Sequence, residues 1–194
     1  MLKNLTVVIP AYNECGSIAA VVKEAREALD KKARYEILVV DDGSTDGTGE
    51  IARTAGARVI SLKKNSGYGA ALKRGIGSAK YDTICTLDAD GSYSPSEIPK
   101  LLYHASQKRM VIGARKGEYI KRQVLRNFLK FFLRKLAEFL TSSKIDDVNS
   151  GMRVFDRRVL MRYSNLLCDG FSFSTSSTMI YLCAGLPEIG RAHV

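Results

Sequence analysis

The chain has 194 residues, of which 45% are hydrophobic and 26% charged, and its formal net charge is +10. This composition excludes wholesale disorder, and the length suits one globular domain with a sizeable core. The apolar runs are much shorter than the roughly 20 residues that a membrane-spanning helix needs.

The excess positive charge is concentrated in one segment. Residues 100–135 carry 11 Lys and Arg side chains and one acid, whereas the other 158 residues carry 19 charges of each sign. A cationic segment favours a polyanionic partner such as a nucleic acid, a phosphorylated substrate or an acidic membrane.

Apolar runs and helical spacings alternate along the first 113 residues. Short continuous apolar runs bounded by turn residues are typical of buried parallel strands, and the segments between them have helical periodicity. We therefore predict an α/β fold, with a Rossmann-like, mostly parallel sheet flanked by helices on both faces. The predicted strands are 5–10, 36–41, 58–62, 83–88 and 110–113, and the predicted helices begin near residues 15, 48, 68 and 95.

Chemically capable residues follow several of these strands. Tyr12 and Glu14 follow the first strand, Asp42 follows the second, Asp88-Ala-Asp90 follows the fourth and Arg115 follows the fifth. Ligands of open α/β sheets bind beyond the carboxyl ends of the strands, so these side chains are expected to share one site.

The triplet Asp88-Ala-Asp90 is the strongest of these signals. Two carboxylates at this spacing suit Mg²⁺ or Mn²⁺ bridging a diphosphate, although such a triplet also occurs in solvated turns. Asp42 could accept from a ribose hydroxyl or a base edge. Gly67-Tyr68-Gly69 opens a helix and either lets backbone N–H groups approach a phosphate or forms a plain turn.

Ordered sequence blocks across residues 5–187 resemble the family-2 inverting glycosyltransferases with the GT-A fold. The resemblance is closest to the dolichyl- and polyprenyl-phosphate sugar synthases, such as dolichol-phosphate mannose synthases. It is carried by VVIPAYNE (7–14), ILVVDDGSTDGT (37–48), GYGAALKRGI (67–76), TLDADGSYSP (86–95), VIGAR (111–115), DVNSGMRVFDRRVL (147–160) and DGFSFST (169–175).

The resemblance implies a donor site for a UDP- or GDP-sugar. Asp88 and Asp90 would act in catalysis by holding Mg²⁺ or Mn²⁺, and Ser92 stands where some relatives have a further glutamine ligand. The implied nucleotide-sugar contacts are Pro10, Tyr12, Glu14, Val40, Asp42, Asp88, Ala89, Asp90 and Arg115.

The resemblance also implies an acceptor, a polyprenyl or dolichyl phosphate, that is already anionic and needs no strong general base. Ser150 and Arg153 are the predicted contacts of the acceptor phosphate. Asp147 would act as a base or orienting group if the acceptor were a hydroxyl, and an ordinary loop position is an equal alternative.

Residues 119–141 combine a cationic stripe with many apolar side chains. Arg122, Arg126, Lys130 and Arg134 recur at helical spacing, and four phenylalanines and five leucines lie among the other residues of the segment. This pattern predicts an interfacial helix on an anionic membrane, and a core helix with one solvated face is the alternative. We therefore expect a cytoplasmic protein held peripherally at the inner face of a membrane.

Two other functions fit parts of the pattern. A family-2 glycosyltransferase acting on a polysaccharide or another glycan would keep the donor site and change the acceptor. A basic nucleic-acid-binding module would use the cationic segment, but it leaves the carboxylates at the strand ends unexplained, so no nucleic-acid partner is expected.

The last residues resemble a processing artefact. Ile-Gly-Arg-Ala-His-Val is what a common sequencing adapter encodes when it is read in frame. We therefore expect residues 1–187 to be a glycosyltransferase catalytic domain that is truncated at its C-terminus, and residues 188–194 to be foreign to it.

Overall fold

The computed structural model describes residues 4–105, 110–114, 150–184 and 189–193. Within these ranges the chain forms seven strands and six α-helices, with 3-10 turns at Pro95–Glu97 and Ser164–Leu166. The strands are β1 (Leu5–Ala11), β2 (Tyr35–Asp41), β3 (Arg58–Ser61), β4 (Thr83–Thr86), β5 (Met110–Ala114), β6 (Arg153–Asp156) and β7 (Ile189–His193). The helices are α1 (Ile18–Leu29), α2 (Thr48–Thr54), α3 (Tyr68–Ser78), α4 (Ile98–Ala105), α5 (Arg157–Arg162) and α6 (Phe173–Cys183).

The seven strands form one sheet in the order β3-β2-β1-β4-β6-β5-β7. All the pairings are parallel except the two made by β6, which runs antiparallel to both β4 and β5. The chain moves outward from β1 to β3 and then crosses back to place β4 on the other side of β1. This reversal creates a crevice beyond the carboxyl ends of β1 and β4, where ligands of such sheets bind.

Apolar side chains cover both faces of the sheet, as buried parallel strands require. Val7 and Ile9 of β1 pack into one cluster with α1, α2 and α4. Val8, on the opposite face of the same strand, packs into a second cluster with α3, α5 and α6. The predicted mostly parallel sheet with helices on both faces is therefore confirmed.

One difference from the predicted elements lies at the end of β4. The predicted strand extends to Asp88, but β4 ends at Thr86, and Leu87 N–H makes the last bond to β1, 3.1 Å from the carbonyl of Val8. The chain then leaves the sheet, which brings Asp88 out of the ladder and into the crevice.

The last described segment of the chain forms the edge strand β7. The segment Ile189–His193, part of the predicted artefact, pairs with β5 through backbone groups, which nearly every residue type can supply. Among the described residues, no helix is both long enough and apolar enough to cross a membrane.

Candidate active site

An open cavity of about 470 Å³ lies in the crevice beyond β1 and β4. Its lining comes from the segments that follow β1, β2, β3 and β4, together with the start of α3 and residues near β6 and α6. The lining residues are Pro10, Ala11, Tyr12, Glu14, Asp42, Asn65, Gly67, Tyr68, Ala71, Asp88, Ala89, Asp90, Gly151, Phe171 and Ser174. Among the residues that the structure describes, all the charged side chains in this lining are carboxylates, which attract cations.

The loops that follow β1 and β2 hold each other in place. Asn13 N–H donates to the Ser44 hydroxyl at 2.9 Å, and Thr45 N–H donates to the Asn13 side-chain oxygen at 3.0 Å. Glu14 N–H donates to the Thr48 hydroxyl at 2.8 Å. These hydrogen bonds fix the backbone that follows Tyr12, whose side chain remains half-exposed at the cavity wall.

Asp42 connects the end of β2 to the start of α3. Its Oδ1 accepts from Ser66 N–H at 2.8 Å and its Oδ2 accepts from Gly67 N–H at 2.9 Å. The residue is 3% exposed, yet it borders the cavity. Asp42 therefore holds the cavity wall in place, and it is also one of the residues predicted to contact the nucleotide.

Gly67 and Gly69 allow the first turn of α3 to pack closely against residues 168–170. A Cβ on Gly67, whose φ is +103°, would lie 2.8 Å from the Asp169 carbonyl oxygen, and a Cβ on Gly69 would lie 2.8 Å from the Asp169 carbonyl carbon. The two glycines are therefore explained by a close approach between backbones. The sequence had left a phosphate-binding turn and a plain turn open for this motif.

Asp88 and Asp90 face the cavity from the turn that follows β4. Oδ1 of Asp88 accepts from the Tyr68 hydroxyl at 2.8 Å, and Oδ1 of Asp90 accepts from Ser92 N–H at 2.9 Å. Burial, followed by the charge of Asp88, raises the pKa of the Tyr68 phenol well above its usual range. The phenol is therefore a hydrogen-bond donor to Asp88 at neutral pH.

The two carboxylates fit a divalent cation of the Mg²⁺ or Mn²⁺ type. Such ions are usually held by one or two carboxylates, with the remaining positions filled by water and substrate phosphates. The part of the chain that the structure describes contains no cluster of three or more His, Cys, Asp or Glu side chains that could hold a metal ion. A cation held by Asp88 and Asp90 would complete its coordination with water or substrate phosphates.

The structure brings most of the predicted donor-site residues together. Pro10, Tyr12, Glu14 and Asp42 line one side of the cavity, and the Asp88-Ala-Asp90 triplet lines another. Val40 does not line it, because its side chain is fully buried between the sheet and α3, where it packs beneath Gly75. In this structure Val40 lies in the core, and its predicted nucleotide contact stays a prediction.

Ser150 and Arg153, the predicted acceptor contacts, are each 1% exposed. The Ser150 hydroxyl donates to the Gly113 carbonyl at 2.5 Å. The Arg153 guanidinium donates to the Ser150 carbonyl at 2.7 Å and to the Thr178 hydroxyl at 2.7 Å. Both side chains join β6 and the residues before it to neighbouring elements. Contact with an acceptor phosphate would require these hydrogen bonds to change, and the predicted contact stays a prediction.

Three predicted features lie outside the described residues: Arg115, Asp147 and the cationic segment 119–141. Their predicted roles therefore stay predictions.

The sequence reasoning assigned no function to Tyr68, Gly151 and Phe171, which line the cavity around Asp88. Each lies in a sequence block that carried the family resemblance. The signal for Tyr68 was a large aromatic side chain between two glycines at the start of a helix. Phe171 is 87% exposed and stacks on Tyr68 with ring centroids 5.8 Å apart, a contact that no local sequence pattern predicts.

Comparisons with known proteins agree with this geometry. The model of the family described as glycosyl transferase family 2 matches residues 6–164. Dolichyl-phosphate beta-glucosyltransferase of Mus musculus is 30% identical over 95% of this chain and 65% of its own length. Undecaprenyl-phosphate 4-deoxy-4-formamido-L-arabinose transferase of Aeromonas hydrophila is 33% identical over 83% of this chain and 48% of its own length. The chain thus spans between about half and two thirds of these relatives.

Solved structures share the fold. A crystal structure of glucosyl-3-phosphoglycerate synthase from Mycobacterium tuberculosis, in complex with Mg²⁺ and uridine diphosphate, superposes with a TM-score of 0.74. It is 23% identical, and the match covers 98% of this chain and 71% of the other. The predicted GT-A architecture is confirmed, and the match over residues 6–164 shows that the chain belongs to glycosyl transferase family 2.

Proposed function

We propose that the protein transfers a sugar from a nucleotide-diphosphate sugar to a polyprenyl phosphate, with inversion at the anomeric carbon. The observation that carries this proposal is the acidic cavity beyond β1 and β4, which brings Asp88 and Asp90 to the same space as Pro10, Tyr12 and Asp42. The acceptor class is supported by the names of the two relatives, which act on dolichyl phosphate and undecaprenyl phosphate.

The charge of the cavity supports a metal-dependent donor. A nucleotide diphosphate is a polyanion, and the charged side chains in the described lining are the carboxylates Glu14, Asp42, Asp88 and Asp90. Direct contact between these groups and a diphosphate would be repulsive. Mg²⁺ or Mn²⁺ held by Asp88 and Asp90 would reverse this repulsion, and the half-exposed Tyr12 offers a surface for the base of UDP or GDP.

The reaction balances as a single displacement. An oxygen of the acceptor phosphate forms a bond to the anomeric carbon while the bond from that carbon to the donor's diphosphate oxygen breaks. The electron pair of the broken bond remains on the nucleoside diphosphate. When bound, the divalent cation supplies Lewis-acid stabilisation of this developing charge. Asp88 and Asp90 would hold this cation and orient the diphosphate through it, and the anionic acceptor needs no strong general base.

The membrane assignment rests on sequence pattern. Residues 119–141 combine cations with aromatic and aliphatic side chains, which supports contact with the cytoplasmic face of an anionic membrane. We expect the chain to bind vesicles containing anionic lipid and to show little binding to duplex DNA at physiological salt. Preferential binding to DNA would favour the nucleic-acid-binding alternative instead.

A donor-binding experiment tests the central claim. Isothermal titration with UDP, UDP-sugars, GDP and GDP-sugars, each with and without Mn²⁺, should give metal-dependent binding of one nucleotide class. Asp88→Asn and Asp90→Asn should abolish the dependence on Mn²⁺. Glu27→Gln, which neutralises an exposed acid on α1, is the matched control and should behave like the wild type. Binding that ignores both Mn²⁺ and the two aspartate substitutions contradicts the proposal.

A further inference from the structure

Tyr68 connects the start of α3 to the first carboxylate of the Asp88-Ala-Asp90 triplet. Its hydroxyl donates to Oδ1 of Asp88 at 2.8 Å. The two residues are 20 positions apart in the sequence and belong to different elements, so this bond is a product of the tertiary fold. It ties the orientation of a carboxylate in the cavity to the position of an aromatic ring.

The ring of Tyr68 is itself held from several directions. It begins α3, and the residue before it, Gly67, is bound through its N–H to Asp42. The ring of Phe171 stacks on it at an interplanar angle of 16°. The loop that carries Phe171 is fastened to α3 by Ala70 N–H, which donates to the Asp169 carbonyl at 2.9 Å, and by an ion pair between Lys73 and Asp169.

The Asp88 carboxylate also packs against the backbone of Gly151. A Cβ built on Gly151 would lie 2.5 Å from both Cγ and Oδ1 of Asp88, so any side chain there would have to displace this carboxylate. The Tyr68 hydroxyl donates to Oδ1 of the same group. A carboxylate constrained in this way has little rotational freedom left to lose when it binds a ligand.

We propose that Tyr68 is a positioning residue that fixes the Asp88 carboxylate in the orientation needed to hold the divalent cation of the donor complex. This inference rests on the proposed function, because it assigns Asp88 to metal binding. Partners that orient a metal ligand are typically worth about 10–100-fold in metal affinity or activity. Tyr68 therefore acts through Asp88, and its hydroxyl, not its ring, carries the effect.

The test separates the hydroxyl from the ring. Tyr68→Phe removes the hydroxyl and keeps the stacking on Phe171, so the thermal unfolding midpoint should change little. Titration of Mn²⁺ into the UDP-saturated variant, followed by electron paramagnetic resonance of free Mn²⁺, should show an affinity about 10–100-fold lower than that of the wild type. UDP binding without metal should be unchanged, which reports an intact cavity.

The matched control is Tyr35→Phe. Tyr35 also donates to an aspartate, at 2.5 Å from Oδ1 of Asp30, but it begins β2 and so lies at the opposite edge of the sheet from the cavity. This variant should keep the Mn²⁺ affinity of the wild type. Asp88→Asn is included as the reference for complete loss of the metal ligand.

Each outcome decides one claim. If Asp88→Asn abolishes Mn²⁺ binding and Tyr68→Phe leaves it unchanged, the positioning role is overturned and the proposed function stands. If Tyr68→Phe weakens metal-free UDP binding as much as Mn²⁺ binding, Tyr68 shapes the whole cavity, and the inference is again wrong. If Asp88→Asn itself has no effect, the proposed function and the inference both fail.

Discussion

The backbone of Gly151 lies directly against the carboxylate of Asp88, with no room between them for a side chain. Gly151 N–H in turn donates to the Tyr93 hydroxyl at 2.9 Å. A residue two positions before the antiparallel strand β6 thus helps to set the position of a carboxylate two positions after β4. The glycine of the Asn-Ser-Gly-Met-Arg block therefore leaves room for the carboxylate in this position.

Gly151→Ala should therefore weaken metal-dependent nucleotide binding, although it adds only one methyl group. The new methyl group must displace the Asp88 carboxylate, because a Cβ at this position would lie 2.5 Å from Cγ of Asp88. We expect Mn²⁺-dependent nucleotide binding to fall at least about 10-fold, in the range found when a metal ligand loses its orientation. Titration calorimetry with UDP and Mn²⁺ checks this, and unchanged binding would show that the carboxylate tolerates displacement.

Two glycines of α3 should respond oppositely to the same substitution. A Cβ on Gly75 would lie 3.0 Å from Cγ2 of Val40 and still closer to Val8, whereas a Cβ on Gly77 meets only Met161, at 3.9 Å. Gly75→Ala should lower the free energy of unfolding by about 1–3 kcal/mol through overpacking. Gly77→Ala should raise it by about 0.5–1 kcal/mol, because alanine loses less backbone entropy in a helix.

Denaturant unfolding of both variants measures the contrast. Gly75 and Gly77 lie in the same helix, so the gain in helix propensity from alanine is common to both variants. The difference between their free energies of unfolding therefore measures the effect of packing against the sheet. Equal effects at the two positions would mean that α3 shifts away from β1 and β2 at little cost.

Local sequence patterns predicted the parallel strands and several residues that line the cavity, because both depend on short-range regularities. Continuous apolar runs predicted β1 and β2. The polar residues that follow these strands, such as Tyr12 and Asp42, lie close together because the carboxyl ends of parallel strands share one edge of the sheet. Asp88 and Asp90 followed from the same rule.

The contacts that cross between distant elements were not predictable in this way. Val40 was assigned to the nucleotide site because of the family resemblance, but alternation along β2 places it under α3. The stacking of Phe171 on Tyr68 joins residues 103 positions apart, and it depends on where α6 and its preceding loop settle. Only the tertiary fold determines such pairs.

Arg153 offers a test that distinguishes a structural role from an acceptor contact. Its guanidinium spans from the Ser150 carbonyl to the hydroxyls of Ser177 and Thr178, and it is 1% exposed. Arg153→Lys keeps the charge but not the planar set of donors, so it leaves buried acceptors without a hydrogen bond. We therefore expect it to lower the free energy of unfolding by about 1–3 kcal/mol.

Arg153→Met should destabilise by a similar or larger amount, because it removes every donor while keeping the bulk of the side chain. Thermal and urea unfolding of the two variants check these values. If Arg153→Lys unfolded like the wild type but lost turnover with a polyprenyl phosphate, the acceptor contact predicted from the sequence would be supported instead.

Asp46 links the loops after β1 and β2 and makes their stability depend on pH. The hydrogen bond from the Thr48 hydroxyl is the largest cause that lowers the pKa of Asp46, and Cys15 N–H, 3.0 Å from Oδ2, adds to it. Because the folded pKa lies below the ordinary value of about 3.9, the ionised group stabilises the fold above that value. This contribution is lost as the pH falls through the folded pKa.

Asp46→Asn should therefore be less stable than the wild type at pH 7, and the difference should shrink as the pH is lowered from about 5 towards 2. Asparagine keeps an oxygen acceptor for Thr48 N–H but has no charge to lose. Urea unfolding at several pH values measures the difference. A gap between the two proteins that is constant across this range would show that the charge of Asp46 contributes nothing to stability.

The same carboxylate should control the reactivity of the exposed Cys15. The hydrogen bond to Asp46 is the largest cause that raises the pKa of the Cys15 thiol, and the negative charge of Asp46 acts in the same direction. Since the thiolate is the nucleophile, Asp46→Asn should speed the alkylation of Cys15 by iodoacetamide at pH 8. Mass spectrometry of the Cys15 and Cys168 peptides over time measures this, with the exposed Cys168 as the internal reference. Equal acceleration at both cysteines would indicate a general loosening of the fold, and no acceleration at Cys15 would show that Asp46 does not restrain its thiol.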